Sequence, residues 1–404
     1  MQNAVRALQS RIPMDLASQY VDQPSQLAPL IEHLSTQPVV GFDTEFISEG
    51  RYEPALCLVQ LSTPDGIWIV DPLAVSDLSE LWGVLATREL VTVAARQEIK
   101  FCEKGAGAPP AGILDLQVAA GLLGFGFPLS HTNLVLRILN IKVHGGESFT
   151  DWRKRPLTSV QLKYAADDVR YLLQIREKLL RRAEKMGRTE WIRGECARMV
   201  TDVLREEERW RVSGSSRLNR RQLAALREVW RWRDRAARKS NIPVGRVLSD
   251  AMLIEVAKRS PSSVEDLFAI RGLDRKLFRN SESDVVAAVK KAQELPEEKL
   301  PSNERREDPP QVAVVQKLLS VASNGLAAEY DVDPALLATT SDLQDLVRWF
   351  LEGEKVGEEP DAIVGWRGEI LREPLLGFLE GKRYVRVGNI KKANPLVFED
   401  FKKS

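Results

Sequence analysis

The fold of the first half of the chain is decided by Val39-Val40-Gly41-Phe42-Asp43-Thr44-Glu45-Phe46, a run rich in residues that favour β-strands. Side chains alternate across a strand with a period of two, so Asp43 and Glu45 share one face and their neighbours point the other way. Two like charges side by side raise each other's pKa unless a cation such as Mg²⁺ or Mn²⁺ neutralises them. The pair therefore predicts a metal site, although a solvent-facing strand with two ordinary acids would show the same spacing.

Three further runs of β-forming residues follow at 56–61, 67–70 and 90–94. Pro64-Asp65-Gly66 separates the first two in the manner of a hairpin turn. The third precedes a predicted helix at 96–104. Strands that give way to helices in this order predict an α/β domain.

A long helix is predicted from Thr158, where Thr158 and Gln161 have the spacing of a capping box. Tyr164 and Asp168 are four residues apart and therefore project from one face of that helix. A phenol beside a carboxylate suits a site that cleaves phosphodiesters, because the phenol positions water while the carboxylate holds a metal ion. A core tyrosine next to a surface acid is the alternative.

The remainder of the chain is predicted to be helical and divided by linkers. We expect the first domain at 1–212, a compact helical bundle at 213–296, a linker at 297–310 and a second helical domain at 311–382. The tail at 383–404 is too mixed in composition to assign.

The net charge of +1 conceals a strong local asymmetry. Residues 1–150 carry a net charge of −7 and residues 151–240 carry +12. An acidic module beside a basic one is expected where a metal-dependent site adjoins a surface that attracts phosphate groups.

Three scattered cysteines exclude a disulfide framework, and three histidines without ligand spacing argue against a zinc site. The first six residues lack an apolar signal core, and no stretch approaches the roughly 20 apolar residues that span a bilayer. We expect a cytoplasmic protein with no membrane partner.

Taken together, the ordered motifs resemble those of ribonuclease D, a family of DEDDy exonucleases with an RNase H-like fold. The motifs are 42–45 (FDTE), 58–61 (LVQL), 115–117 (DLQ), 151–157 (DWRKRPL) and 164–168 (YAADD). Residues 223–257 are similar to an HRDC domain, and the stretch around 365–381 resembles the more divergent second HRDC unit of that family. The resemblance implies an α/β RNase H-like exonuclease domain followed by two all-α HRDC-like domains.

The resemblance also implies a 3′→5′ exoribonuclease that trims tRNA precursors or other stable RNA and releases nucleoside 5′-monophosphates. Asp43, Glu45, Glu98 and Asp168 would hold two divalent ions, Mg²⁺ or Mn²⁺. One ion would help Tyr164 to orient and deprotonate water, and the other would stabilise the leaving 3′ oxygen. A monomer is expected.

One position departs from the family pattern, because Glu98 stands where the second motif normally supplies an aspartate. The extra methylene adds about 1.5 Å of reach, whereas functional groups generally need placement within roughly 0.5 Å. A catalytically silent RNA-binding factor is therefore one alternative. A DNA 3′→5′ exonuclease is another, since the same carboxylates can serve either sugar.

Candidate contacts to nucleic acid lie in the motifs and in the basic segment. They are Gln60, Gln117, Trp152, Arg155, Arg231 and Lys239. Arginine matches phosphate with a bidentate fork and aromatic rings stack on unpaired bases, which favours an RNA path along the helical modules. Solvated helix faces on which the arginines pair with Glu177, Glu184 and residues 206–208 are the alternative.

Overall fold

A computed structural model describes residues 17–143, 150–205, 208–273, 281–302, 308–353, 358–392 and 394–401. Within these ranges the chain forms two compact units. The first combines the residues up to Glu45 with Leu56–Arg205 and with the chain from Asp308 onward. The second combines Phe46–Ala55 with the described part of Glu206–Glu307.

The first unit is built on a six-stranded mixed sheet with the order β1-β4-β3-β2-β5-β6. The strands are β1 (Ser18–Val21), β2 (Val39–Ile47), β3 (Ala55–Thr63), β4 (Gly66–Val70), β5 (Glu89–Thr92) and β6 (Gly112–Asp115). β3 and β4 form the predicted antiparallel hairpin, whereas β1 pairs with β4, β2 with β5 and β5 with β6 in parallel. The predicted strand at 90–94 is thus confirmed, shifted to 89–92.

Helices cover this sheet, and the strands are accordingly apolar along most of their length. The helices are α1 (Pro24–Thr36), α2 (Ser79–Ala86), α3 (Arg96–Ala106), α4 (Leu116–Leu122), α5 (His131–Leu134, continued by a π turn at Val135–Leu139), α6 (Ser159–Arg170), α7 (Leu172–Met186) and α8 (Thr189–Leu204). On β2, Phe42 is fully buried and meets Trp82 of α2 edge to face, with ring centroids 6.2 Å apart. This contact fixes one face of β2 and leaves the other for the acids.

The helix predicted from Thr158 does begin with a capping box, formed by Thr158 and Gln161. The prediction of a single long helix was wrong, however, because α6 ends and α7 begins at Tyr171. Asp168 therefore lies in the last turn of a short helix.

The C-terminal part of the chain belongs to the same unit as the sheet. It contains α14 (Pro310–Glu329), α15 (Pro334–Leu337), α16 (Thr340–Leu351), α17 (Gly365–Leu379) and a hairpin of β7 (Arg383–Val387) and β8 (Leu396–Asp400). Glu195 of α8 is the centre of the contact with α17. Its carboxylate accepts two hydrogen bonds from Arg367, at 2.7 and 2.9 Å, and one from Trp366 Nε1 at 3.1 Å.

The second unit is a helical bundle of α9 (Arg220–Ser240), α10 (Val244–Val247), α11 (Asp250–Arg259), α12 (Val264–Phe268) and α13 (Glu282–Gln293). Residues 46–55 are part of it, although they join β2 to β3. Asn241 Oδ1 accepts hydrogen bonds from the backbone amides of Tyr52 and Glu53, and the Tyr52 hydroxyl donates to Asp234 at 2.8 Å. The segment that follows the acidic strand is therefore fastened to the helical bundle.

The α/β class of the first half of the chain and the helical character of the second half are confirmed. The predicted domain boundaries stay predictions, and residues 303–307 of the predicted linker lie outside the described residues. None of the described helices combines the length and hydrophobicity of a transmembrane helix.

Replacing Arg367 by alanine should strongly destabilise the first unit. The Arg367 and Glu195 side chains are 10% and 7% exposed, and breaking a buried ion pair costs about 3–5 kcal/mol. Arg372→Ala on the same helix is the matched control, since its partner Glu359 is exposed and such pairs contribute about 1 kcal/mol or less. Urea unfolding measures the loss of unfolding free energy in each variant. Equal losses in the two variants would contradict the stabilising role of the buried ion pair.

The same pair predicts a dependence of stability on pH. Burial alone would raise the pKa of Glu195, but the hydrogen bonds from Arg367 and Arg198 lower it to about 2. Because the pKa in the folded state lies below that of the unfolded chain, this stabilisation is complete above the unfolded value and is lost as the pH falls from about 4.5 towards 2. Unfolding free energies measured between pH 6 and pH 3 should decline less steeply in Arg367→Ala than in the wild type.

Candidate active site

Three carboxylates converge where α6 crosses the acidic face of β2. Asp43, Glu45 and Asp168 each offer an oxygen, and these oxygens all lie within 4.8 Å of one another. The two residues on β2 share a face, as the alternation predicted, and all three side chains are half-buried.

A close contact of α6 with β2 and β3 brings the three carboxylates together. Ser62 Oγ donates a hydrogen bond of 2.8 Å to the carbonyl of Val169, the residue after Asp168. A Cβ atom on Gly41 would lie 2.2 Å from the same Ser62 oxygen. Only glycine at position 41 leaves room for that hydrogen bond, so Gly41 and Ser62 together hold the end of α6 against β2 and β3.

The electrostatics of the cluster are those of uncompensated acids. Burial, followed by repulsion from Asp168, Glu98 and Glu45, raises the pKa of Asp43 well above its usual range. Burial, followed by repulsion from Asp168 and Glu98, raises the pKa of Glu45 to about 8. Burial also raises the pKa of Asp168 to about 7, although a hydrogen bond from Tyr164 opposes the shift. A convergent set of oxygen donors with this unfavourable charge fits divalent cations, which favour hard oxygen ligands.

Glu98 lies beside the cluster without joining the three oxygens that converge. It is buried in the first turn of α3, and its Oε1 accepts a hydrogen bond of 2.9 Å from Thr44 Oγ1. Burial raises its pKa to about 7, and it is near enough to raise the pKa values of Asp43 and Glu45. The predicted fourth carboxylate therefore lies beside the cluster with its hydrogen bond to the strand, and its role as a metal ligand stays a prediction.

Tyr164 and Trp152 form one packed pair. The Tyr164 hydroxyl donates to Asp168, as expected for residues four apart on one helix face. Trp152 is 1% exposed, and its ring centroid lies 6.0 Å from that of Tyr164. Trp152 thus supports the phenol from inside the protein.

Arg155 also points into the structure. Its guanidinium donates to Asp71 Oδ1 at 2.7 Å, to the carbonyl of Cys57 at 3.0 Å and to the carbonyl of Trp152 at 2.7 Å. Asp71 is 1% exposed. These bonds tie the segment before α6 to β3 and to the end of β4, which is a scaffolding role.

The two predicted glutamines are also directed inward. Gln60 is fully buried, and neither atom of its amide has a hydrogen-bond partner among the described residues. Gln117 Nε2 donates to the carbonyl of Leu129 at 2.6 Å. Contact between RNA and Gln60, Gln117, Trp152 or Arg155 stays a prediction.

Arg231 and Lys239 belong to the second unit and differ from each other. Arg231 pairs with Glu208 and Glu228 at 2.6–2.7 Å, as expected if this helix face is solvated and its arginines pair with glutamates. Lys239 is exposed on α9 and lines a groove of about 600 Å³ with Trp232 and Lys291. Of the two cations, Lys239 is the better placed to meet a phosphate.

His131 is a site residue that the sequence reasoning missed. Its Nδ1 lies 3.6 Å from Asp168 Oδ1, and its Nε2 is buried without a hydrogen-bond partner in the part of the chain that the structure describes. No motif spacing marks His131. The serine before it, which caps α5 through Ser130 Oγ, is the one local signal that a helix begins there.

Comparisons with known proteins agree with this geometry. A 3′-5′ exonuclease family model matches residues 18–184, and an HRDC domain model matches residues 222–289. Ribonuclease D of Gluconacetobacter diazotrophicus is 35% identical over 89% of this chain and 92% of its own length. Ribonuclease D of Escherichia coli is 30% identical over 90% of this chain and 98% of its own length.

A solved structure shows the same similarity in three dimensions. The crystal structure of Escherichia coli RNase D, described as an exoribonuclease involved in structured RNA processing, superposes with a TM-score of 0.79 at 30% identity. The superposition covers 91% of this chain and 99% of that one. The likeness therefore extends over the sheet and the helical units alike.

Proposed function

The chain belongs to the ribonuclease D family of 3′→5′ exoribonucleases, and on this premise we propose that it shortens RNA 3′ ends with two divalent ions, Mg²⁺ or Mn²⁺. Its α/β domain has the RNase H-like fold of that family. The observation that carries the proposal is the convergence of Asp43, Glu45 and Asp168 beside the Tyr164 hydroxyl. Products are nucleoside 5′-monophosphates.

The roles of the residues follow from their positions. Asp43, Glu45 and Asp168 would hold the ions, which when bound would neutralise charge on the scissile phosphate and lower the cost of ionising water. Tyr164, held by Asp168 and Trp152, orients the attacking water. The water oxygen forms a bond to phosphorus, the bond from phosphorus to the 3′ oxygen breaks, and that oxygen leaves with a proton.

Glu98 serves in this proposal as the fourth carboxylate from a slightly withdrawn position. Its charge already acts on Asp43 and Glu45, so it contributes to the field that attracts cations. Its hydrogen bond to Thr44 is also the observation that favours the alternative of a silent RNA-binding factor.

The RNA is proposed to run over basic helical surface, with Lys239 as a contact, and to be the 3′ end of a tRNA precursor or another stable RNA. The three cysteines are free and buried, which suits work in the reducing cytoplasm. A monomer is proposed.

Asp43→Asn should strongly reduce the rate of nucleotide release. Removing one carboxylate from the ion-binding set costs several kcal/mol of charge stabilisation, so we expect a fall of about 10³-fold in rate. A 3′-tailed single-stranded RNA with Mg²⁺ or Mn²⁺ is the substrate, and the matched control is Asp65→Asn in the exposed turn before β4. A wild-type protein that binds this RNA and releases nothing is a silent binder, and preference for a matched DNA 3′ end would overturn the choice of substrate.

Substitutions at Glu98 test whether its carboxylate assists catalysis. Glu98→Gln keeps an oxygen for Thr44 and removes the charge, so the rate should fall by about tenfold or more if the carboxylate assists. Glu98→Asp shortens the side chain by about 1.5 Å and restores the family residue, so it should lower the Mn²⁺ concentration for half-maximal rate. Unchanged rates in both variants would show that Glu98 takes no part.

A further inference from the structure

We propose that His131 is a positioning residue for Asp168, and that Gln117 holds His131 in place. This inference rests on the proposed function, because it concerns how the chain presents one of the three converging carboxylates to a divalent ion. It assigns a role to an imidazole outside the motifs and gives Gln117 a role other than contact with RNA.

The first step is the geometry at Asp168. His131 Nδ1 lies 3.6 Å from Asp168 Oδ1, and the two side chains are 17% and 13% exposed. A hydrogen bond of ordinary length needs the two atoms to approach by about 0.6 Å more, and this approach accompanies the binding of a divalent ion at Asp168. Tyr164 donates a hydrogen bond to Asp168, so the carboxylate lies between this hydroxyl and the facing imidazole nitrogen.

The second step is the state of the imidazole. A neutral imidazole carries one N–H, on either Nδ1 or Nε2, and Nδ1 is the nitrogen that faces Asp168. An ionised Asp168 facing Nδ1 favours the tautomer with that hydrogen on Nδ1, because the other tautomer would set a lone pair against a carboxylate oxygen. Nε2 is then a buried acceptor, and no described residue donates to it.

A buried nitrogen without a partner is unfavourable for folding, so packing alone does not account for histidine at this position. An apolar side chain of similar size would fill the space without that cost. The donor at Nδ1 is what histidine supplies there and an apolar side chain does not. Residues that orient ligand carboxylates in this way act on the affinity for the metal.

The third step is the support of His131 itself. Gln117 Nε2 donates to the carbonyl of Leu129 at 2.6 Å, two residues before His131. Gln117 follows Asp115, whose carboxylate accepts from the amides of Ala95 and Gln117 at 2.9 and 2.8 Å. The segment that carries His131 is thus anchored to the start of α4. The Asp115 carboxylate in turn connects the start of α4 to the turn before α3.

The test is the affinity for Mn²⁺ measured without RNA, from the electron paramagnetic resonance signal of free Mn²⁺. Leucine and asparagine have nearly the same shape, so His131→Leu and His131→Asn form a matched pair that differs in the donor. We expect His131→Leu to bind Mn²⁺ about 10–100-fold more weakly than the wild type. His131→Asn, whose amide can donate from nearly the same place as Nδ1, should recover most of the affinity.

Gln117→Met should weaken Mn²⁺ binding in the same direction and to a smaller extent. His33→Phe is the control histidine, because His33 contacts Thr63 and Trp68 in the first unit away from the carboxylates. Its affinity for Mn²⁺ should equal that of the wild type. Melting temperatures measured without metal separate a loss of metal affinity from a loss of fold.

The outcomes are distinct. A wild-type protein that does not bind Mn²⁺ contradicts the proposed function itself. A wild type that binds, with equal affinity in His131→Leu and His131→Asn, overturns the role of His131 alone. Should His131→Leu fail to fold, a tenfold loss in Gln117→Met at an unchanged melting temperature supports the proposal, and an unchanged affinity overturns it.

Discussion

The mutual repulsion of Asp43, Glu45 and Asp168 is the constraint on which the site depends. In an unfolded chain these charges would move apart. In the folded protein, contacts between uncharged groups hold them together. Phe42 anchors one face of β2 against Trp82, and the hydrogen bond from Ser62 to Val169 holds the end of α6 over the other face. The electrostatic cost of holding these carboxylates together is what the binding of divalent cations relieves.

Local pattern predicted the parts of the site that lie close together in sequence. Alternation placed Asp43 and Glu45 on one face, and helical spacing placed Tyr164 beside Asp168, because both relations follow from backbone geometry alone. The strands, the hairpin at residue 65 and the capping box at Thr158 were recovered for the same reason. The break between α6 and α7 at Tyr171 was not predicted, because no glycine or proline lies at that position.

Relations between distant segments were beyond that reasoning. Trp152, Arg155, Gln60 and Gln117 have the chemistry of residues that bind nucleic acid, yet the structure turns all four inward. The hydrogen-bond partners of Arg155 and Gln117 come from other elements. Polarity in a sequence does not tell whether the partner is a phosphate or a buried carbonyl. His131 was missed for the complementary reason, since its neighbour Asp168 lies 37 residues away on another helix.

The fastening of residues 46–55 to the helical bundle also has a consequence for the order in which the molecule can form. Asn241 lies 189 residues after Tyr52, and its side-chain oxygen accepts a hydrogen bond from the backbone amide of Tyr52. At a translation rate of about 5–20 residues per second, roughly 10–40 seconds pass between the synthesis of the two. The strands on either side of the segment leave the ribosome long before its partner exists. The segment is therefore made before the bundle that receives it, and the C-terminal part of the first unit is made after that bundle.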